Sequence, residues 1–111
     1  MKGSESVLND EMAAEVQQNK SIRGYILRSL AKGHANSSLV RTITNMLVQE
    51  QMIITPDISK HIDYLEDAGY VEFTNKRVNA YTAYKNDAVI KLTRKGVDLL
   101  EGTVDDPGVD I

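Results

Sequence analysis

The sequence predicts an α+β domain that is mainly α-helical, with a three-helix core, a two- or three-stranded β-sheet and a short C-terminal helix. Three observations support this prediction. Apolar residues recur at helical spacing in three successive segments, a glycine separates the third of these from an alternating strand, and a second alternating segment leads into a capped helical turn. A chain of 111 residues is long enough for one hydrophobic core and too short for two. We therefore expect one folded domain.

Charge divides the chain into three parts. The formal net charge is −3, but the acidic residues are concentrated near the two ends, and residues 19–100 carry twelve Lys or Arg against eight Asp or Glu. We predict a flexible or helical N-terminal arm at residues 1–18, the folded domain at residues 19–102 and an acidic flexible tail at residues 103–111.

From Asn9 to Gln18 the arm contains strong helix formers, and its two large apolar residues, Met12 and Val16, are four positions apart. Two interpretations of this narrow stripe stay open. The arm is either a lead-in to the first helix of the domain or a dimerising element.

Two helices are predicted before residue 51. The first has apolar residues at i, i+4 and i+8, and Gly33 ends it. These residues are Ile22, Ile26 and Leu30. Ser37 or Ser38 is expected to cap the second helix, because a hydroxyl can accept from the free amides of a first turn. Its inward-facing residues are predicted to be Leu39, Ile43, Met46 and Leu47.

The third helix is predicted at residues 56–68. Thr55 can accept from the first free amides, and Pro56 has the fixed φ that suits the first helical position. Gly69 can adopt the left-handed conformation that ends a helix, and residues 70–73 then alternate as a strand does. The apolar face of this helix is predicted to be Ile58, Ile62 and Leu65.

A second strand is predicted at residues 88–92, because its apolar residues alternate. The inward-facing residues of the two strands are predicted to be Val71, Phe73, Ala88, Ile90 and Leu92. An antiparallel hairpin follows, with residues 75–87 at its tip. Thr93 is then expected to cap a short helix. The apolar run at residues 51–54 leaves open a minor third strand.

Two motifs resemble winged helix-turn-helix proteins. The segment Ile58-Ser-Lys-His-Ile-x-x-Leu-Glu-x-Ala-Gly-Tyr-Val71 is similar to the recognition helix and first wing strand of DNA-binding winged-helix regulators of the ArsR, MarR and PadR kind. Leu92-Thr-x-x-Gly-x-x-Leu-Leu100 is similar to the segment through which such proteins leave the wing. The resemblance covers residues 20–102. It implies a transcriptional regulator that binds duplex DNA as a homodimer, with helix 56–68 in the major groove and wing 75–87 beside it.

The resemblance also implies which residues contact DNA: Arg41, Ser59, Lys60, His61, Tyr64, Lys76, Arg77 and Lys85. Alternatives remain for several of them. His61 lies at the margin of the apolar face, so a packed structural histidine is an equally good interpretation. Basic residues at a hairpin tip can simply keep a sheet edge soluble. Tyr81 and Tyr84 can stack on a partner or pack against the third helix.

The acidity of the third helix supports an alternative function. Four carboxylates against one lysine give residues 56–68 a net charge of −3, and carboxylates are repelled by phosphates. The alternative is a winged helix used as a protein-interaction module without DNA binding, such as a phage accessory or assembly factor. The ending at residues 99–109 is similar to that of small winged-helix proteins of Mu-like prophages.

Several function classes are excluded or disfavoured by composition. The chain has no cysteine and only two histidines, so we expect no metal site and no thiol chemistry. It shows no paired acid and base at a catalytic spacing and no glycine-rich phosphate loop, so we expect neither an enzyme nor a cofactor. It contains no long apolar run or signal-peptide pattern, so we expect a cytoplasmic protein that does not bind membranes.

Overall fold

A computed structural model describes residues 2–111, with side chains from residue 9 onward. The elements are α1 (Lys2–Lys32), β1 (Ser37–Leu39), α2 (Val40–Gln49), α3 (Ser59–Asp67), β2 (Val71–Phe73), β3 (Val89–Leu92) and α4 (Arg94–Leu100). About half of the chain is helical and the strands form one antiparallel sheet, which confirms the predicted α+β class. The predicted N-terminal arm falls partly outside the described residues. Among residues 2–111, no helix combines the length and the apolar composition needed to cross a membrane.

Helix α1 runs without interruption through the boundary predicted at residues 18 and 19. Its described side chains at residues 9–18 are all exposed. Its C-terminal half is the part that enters the core, and the predicted stripe of Ile22, Ile26 and Leu30 is confirmed, since these residues are 3%, 0% and 0% exposed. One continuous helix therefore has a solvated half and a packed half.

The sheet has the strand order β1-β3-β2, so β3 is its central strand. Ile90 pairs with Ser38 on one side and with Phe73 on the other. All five residues predicted to face inward from β2, β3 and the residue before β3 are buried. The third strand is therefore present, but it lies before α2 and not at residues 51–54, where the sequence left one open.

The predicted serine cap of α2 is wrong. Ser37 and Ser38 pair with β3 in the sheet, and the Ser37 hydroxyl donates to the carbonyl oxygen of His34 at 2.8 Å. Leu39 occupies the cap position and makes no side-chain cap. The free amide of Val40 donates instead to the carbonyl oxygen of Ala88 at 3.0 Å. A strand hydrogen bond thus replaces the predicted hydroxyl.

The late start of α2 also changes its buried face. Ile43 and Leu47 are buried as predicted, but Leu39 and Met46 are 38% and 37% exposed. With a helix that begins at Val40, the positions i, i+3, i+4 and i+7 define the inward stripe. That stripe consists of Val40, Ile43, Thr44 and Leu47. The buried Thr44 hydroxyl has a hydrogen-bond partner, since it donates to the carbonyl oxygen of Val40 at 2.8 Å.

The predicted start of α3 is wrong by three residues. The helix begins at Ser59, and the Asp57 carboxylate accepts from the backbone amide of Ser59 at 2.9 Å and from its hydroxyl at 2.6 Å. This local turn competes with helix formation from Pro56 onward, because aspartate readily bonds a backbone amide two residues later. The predicted apolar face is confirmed, with Ile58, Ile62 and Leu65 buried.

The segment between β2 and β3 is a folded loop and not an extended hairpin tip. The two strands are only three and four residues long, and residues 74–88 form successive turns between them. The Asn79 side chain accepts from the backbone amides of Tyr81 and Thr82 at 2.8 and 3.1 Å. Ala80 and Ala83 are buried beneath the loop. The hydrogen bonds fix the shape of the loop, and the two alanines pack it against the core.

Residues 103–111, which were expected to form an acidic flexible tail, pack against the domain. Val109 is 6% exposed, and the backbone amide of Asp110 donates to the carbonyl oxygen of Lys20 at 3.1 Å. The Arg28 guanidinium donates to the carbonyl oxygen of Asp110 at 3.0 Å. Residues 103–111, hereafter the C-terminal segment, therefore lie against the packed half of α1.

One tight turn offers a stability test. Ala35, between α1 and β1, has φ 53° and ψ 35°, a left-handed conformation that costs an L-residue about 1 kcal/mol. Ala35→Gly is expected to raise the free energy of unfolding in urea by up to about 1 kcal/mol. The matched control is Ala31→Gly, an exposed position in α1, where the same change should lower it. A lower stability for Ala35→Gly would contradict the turn geometry.

Candidate nucleic-acid interface

The first turn of α3 and the β2–β3 loop (residues 74–88) adjoin each other on the surface. Ser59 and Lys60 line a shallow depression of about 280 Å³ together with Tyr81, whose side chain is 66% exposed. The start of the helix and the loop therefore form one accessible surface. We call it the α3–loop surface.

Most of the basic residues predicted to contact DNA are accessible here. Lys60, Lys76, Arg77 and Lys85 are exposed, and among the described residues none of the four takes part in an ion pair. Three of them belong to the loop. The loop therefore has a net positive charge. Its one carboxylate, Asp87, forms an ion pair with Arg41 of α2.

The prediction that Arg41 contacts phosphate does not fit its surroundings. Its guanidinium forms an ion pair with Asp87 at 2.8 Å and donates to the carbonyl oxygen of Tyr84 at 3.3 Å. The same group lies 5.2 Å from the centre of the Tyr84 ring. Arg41 therefore attaches the end of the loop to α2. Because the two side chains of the pair are 44% and 61% exposed, the pair contributes at most about 1 kcal/mol to stability.

The prediction that His61 contacts DNA is wrong, and the alternative of a packed histidine fits. His61 is 3% exposed, and its Nδ1 atom has no hydrogen-bond partner among the described residues. Burial, followed by the positive charges of Lys60 and Arg23, lowers the pKa of His61 to about 4. The imidazole is therefore neutral near pH 7. It belongs to the core and offers nothing to a phosphate.

Tyr64 is engaged by the packing of the C-terminal segment. The Arg23 guanidinium lies 3.6 Å from the centre of the Tyr64 ring and donates to the carbonyl oxygen of Gly108 at 3.0 Å. A Cβ atom at Gly108 would lie 2.1 Å from the Tyr64 hydroxyl, so only glycine allows this approach. Tyr64 is half-buried, and its predicted role as a base contact does not fit this position.

Ser59 is half-buried, and its hydroxyl already has a hydrogen-bond partner. Its hydroxyl donates its one hydrogen to Asp57, and these hydrogen bonds hold the pKa of Asp57 below its ordinary value. A hydroxyl that donates to a carboxylate cannot donate to a phosphate at the same time. As a phosphate contact, Ser59 would need the Asp57 bond to break.

Acidic residues occupy much of the exposed face of α3. Asp63, Glu66 and Asp67 are all exposed, and at 100° per residue Asp63 and Asp67 flank the direction opposite the buried stripe. Lys60 is the only basic residue of the helix. The positive charge of the α3–loop surface is therefore confined to the loop and the first turn of the helix.

One hydrogen bond and one close approach of the C-terminal segment were not foreseen from the sequence. The Tyr70 hydroxyl donates to the Asp106 carboxylate at 2.5 Å. Burial, then the hydrogen bond to Asp106, raises the pKa of Tyr70 to about 12. On α1, a Cβ atom at Gly24 would lie 1.8 Å from the carbonyl oxygen of Asp110. A glycine in the middle of a helix indicates a close approach, so Gly24 was the available signal.

A groove lies next to this surface, between α1 and the segment that precedes α3, and it shares Asp57 and Lys60 with the depression described above. It has a volume of about 520 Å³. Its walls include Ile22, Met52, Ile53 and Ile54, and Glu15, Asp57, Lys60 and His61 also line it. We call it the α1–α3 groove. Among the described residues, no three His, Asp or Glu side chains are grouped closely enough to hold a metal ion.

A scan against protein-family models and searches of curated proteins and of solved structures found nothing that matches this chain.

Proposed function

We propose that the chain is a winged-helix protein that binds duplex DNA through the α3–loop surface and acts as a transcriptional regulator in the cytoplasm. The order of elements supports the fold, since β1 lies between α1 and α2, and α3 passes through a glycine into β2. In this proposal α3 is the recognition helix and the β2–β3 loop is the wing.

One observation carries the proposal: the β2–β3 loop, whose three basic side chains form no ion pair among the described residues, adjoins the exposed Lys60 in the first turn of the proposed recognition helix. In helix-turn-helix proteins the N-terminal residues of the recognition helix contact the base edges. Lys60 is in that turn, whereas Glu66 and Asp67 are at the opposite end of α3. A helix that enters the major groove by its N-terminal end would keep these two carboxylates farther from the phosphates.

The contacts that this geometry supports differ from the set that the sequence implied. Lys76, Arg77 and Lys85 would supply the attraction to phosphates, and Lys60 would reach a phosphate or a guanine. Tyr81 joins them, because an exposed tyrosine between basic side chains can stack on a sugar or a base. Arg41, His61 and Tyr64 are left with structural roles.

A salt-dependent titration tests the proposal. The protein is titrated against a fluorescently labelled duplex at several salt concentrations, and anisotropy is recorded. The double variant Lys76→Glu, Arg77→Glu is expected to weaken binding at least about tenfold and to reduce the slope of log affinity against log salt by about 2. Both residues are exposed, so the fold should persist, which circular dichroism checks.

The matched control is the double variant Lys32→Glu, Arg94→Glu, which makes the same change of charge at two exposed positions outside the α3–loop surface. It should retain most of the affinity. Absence of any complex at low salt, or equal losses for the two double variants, would refute DNA binding through this surface.

A second candidate function is protein binding without DNA, and one observation favours it. The exposed face of α3 carries Asp63, Glu66 and Asp67, and such a face would meet a basic protein more readily than a phosphate backbone. Reversal of these acids, as in Asp63→Lys, Asp67→Lys, separates the two functions. It should strengthen a complex with DNA and abolish one with a basic protein.

The proposed regulator would act as a homodimer, because one domain of this size reads only a half-site. Sedimentation velocity of the protein alone and of its complex with a two-half-site duplex gives the stoichiometry. One copy per duplex at saturation would contradict this part of the proposal.

A further inference from the structure

One large apolar side chain in the wall of the α1–α3 groove is almost wholly exposed. Ile54 is 96% exposed and lies in the wall of the groove, and Met52 and Ile53 beside it are only partly buried. An isoleucine that is almost wholly exposed gains nothing from the fold of its own chain. Contact with a second molecule would therefore bury apolar surface of Ile54 that the fold leaves exposed.

The apolar stripe of α1 continues past the domain in the same direction. Met12 and Val16 are 64% and 50% exposed. At 100° per residue they lie within about 120° of the buried residues Ile22 and Ile26, so the face that packs into the core extends two further turns. Glu15, between them in sequence, lines the groove. The exposed stripe therefore begins next to the groove.

Carboxylates surround this surface. Glu11 and Glu15 lie on the groove side of α1, and Asp57 lines the opposite wall, whereas Lys60 is the one ammonium among the lining residues. The described part of the solvated half, residues 9–18, has no Lys or Arg. A second copy that placed its own α1 in the groove would bring carboxylates against carboxylates, so charge disfavours self-association here.

We propose that the α1–α3 groove binds a basic amphipathic helix of another protein. The apolar face of that helix would cover Ile54, Met12 and Val16, and its lysines or arginines would face the carboxylates on the rim. One wall of the groove is a helix whose backbone groups are already hydrogen-bonded, so it offers no edge to an extended peptide. A helical occupant satisfies its own backbone. This inference does not rest on DNA binding, although Asp57 and Lys60 line both the groove and the α3–loop surface.

A pair of designed peptides tests the proposal. Both have leucine at the i, i+3, i+4 and i+7 positions, and the remaining positions carry lysine in one peptide and glutamate in the other. Isothermal titration of the full chain is expected to show binding of the lysine peptide and at least tenfold weaker binding of the glutamate peptide. Equal affinity for the two peptides would overturn the proposal.

The substitution Ile54→Asp distinguishes docking from simple charge attraction. It adds a negative charge, so a purely electrostatic complex with the lysine peptide would be retained or strengthened. Docking in the groove predicts at least a tenfold loss instead. Because Ile54 is 96% exposed, the substitution should leave the free energy of unfolding unchanged.

The control is Val104→Asp, which makes the same charge change at a position that is 38% exposed and outside the groove. It should bind the lysine peptide like the parent chain. Retained affinity in Ile54→Asp, or equal losses in both variants, would overturn the proposal. So would a concentration-dependent dimer of the parent chain that Ile54→Asp abolishes, because the occupant would then be a second copy.

Discussion

Gly24→Ala is expected to detach the C-terminal segment from α1 and to lower the free energy of unfolding by about 2 kcal/mol. The new Cβ atom would lie 1.8 Å from the carbonyl oxygen of Asp110, a backbone atom that cannot rotate away. Displacement of the segment exposes Val109 and breaks the hydrogen bond from Arg23 to Gly108. Urea denaturation followed by circular dichroism measures the loss, and faster exchange of the Asp110 amide locates it.

The background of Val109→Asp provides the control for this prediction. A buried carboxylate at position 109 should release the segment by itself. With no segment to clash against, Gly24→Ala then only improves helix propensity and should raise stability by up to about 1 kcal/mol. The sign of the effect is thus expected to reverse between the two backgrounds. A stabilising Gly24→Ala in the parent chain would show that the segment does not pack against α1.

Acidification to pH 5 is expected to cost about 2 kcal/mol of stability through His61. Its pKa is about 4 in the folded chain and about 6.5 when unfolded, so the unfolded state binds more protons between these values. The contribution of neutral His61 to the free energy of unfolding is therefore fully present above about pH 6.5, and it is lost as the pH decreases toward 4. The carboxyls of Asp57 and Asp106, whose pKa values are lowered by hydrogen bonds, contribute only at lower pH.

Urea denaturation at pH 7.5 and pH 5 measures this effect, and His61→Leu is the matched variant. Leucine keeps a similar volume in the core and removes the unpaired Nδ1 atom, so it should be tolerated at pH 7.5. It should also abolish most of the stability change between the two pH values. The same loss in both proteins would assign the pH dependence to other groups.

The parts of the fold that could be predicted are those that local periodicity determines. The buried stripes of α1 and α3 and the inward residues of β2 and β3 follow from helical and alternating spacing alone. Strand β1 could not be found in this way, because Ser37 and Ser38 are extended only through their pairing with Lys91 and Ile90, more than fifty residues later. The start of α3 was missed because the Asp57 side chain competes with the helix for the amide of Ser59.

The residues of the candidate site also fall into two groups, those that local sequence predicts and those that distant residues determine. The sequence sufficed to expect Lys60, Lys76, Arg77 and Lys85 at the surface, since long basic side chains at a helix start and in a loop are seldom buried. It did not reveal that Arg41 is paired with a distant carboxylate. Tyr64 and His61 are likewise determined by remote neighbours, because Arg23 lies over the one and the core closes around the other.

The position of β3 in the middle of the sheet affects how the chain can fold during its synthesis. Neither β1 nor β2 has a strand partner until residues 89–92 are made, which is after about four fifths of the chain. Before that point the nascent chain can form helices but no sheet, and Phe73 has nothing to pair with. The decisive step is the closure of the long loop between Ser38 and Ile90, which carries an entropic cost and slows folding. The sheet and the core that it covers can therefore form only after residues 89–92 have been made.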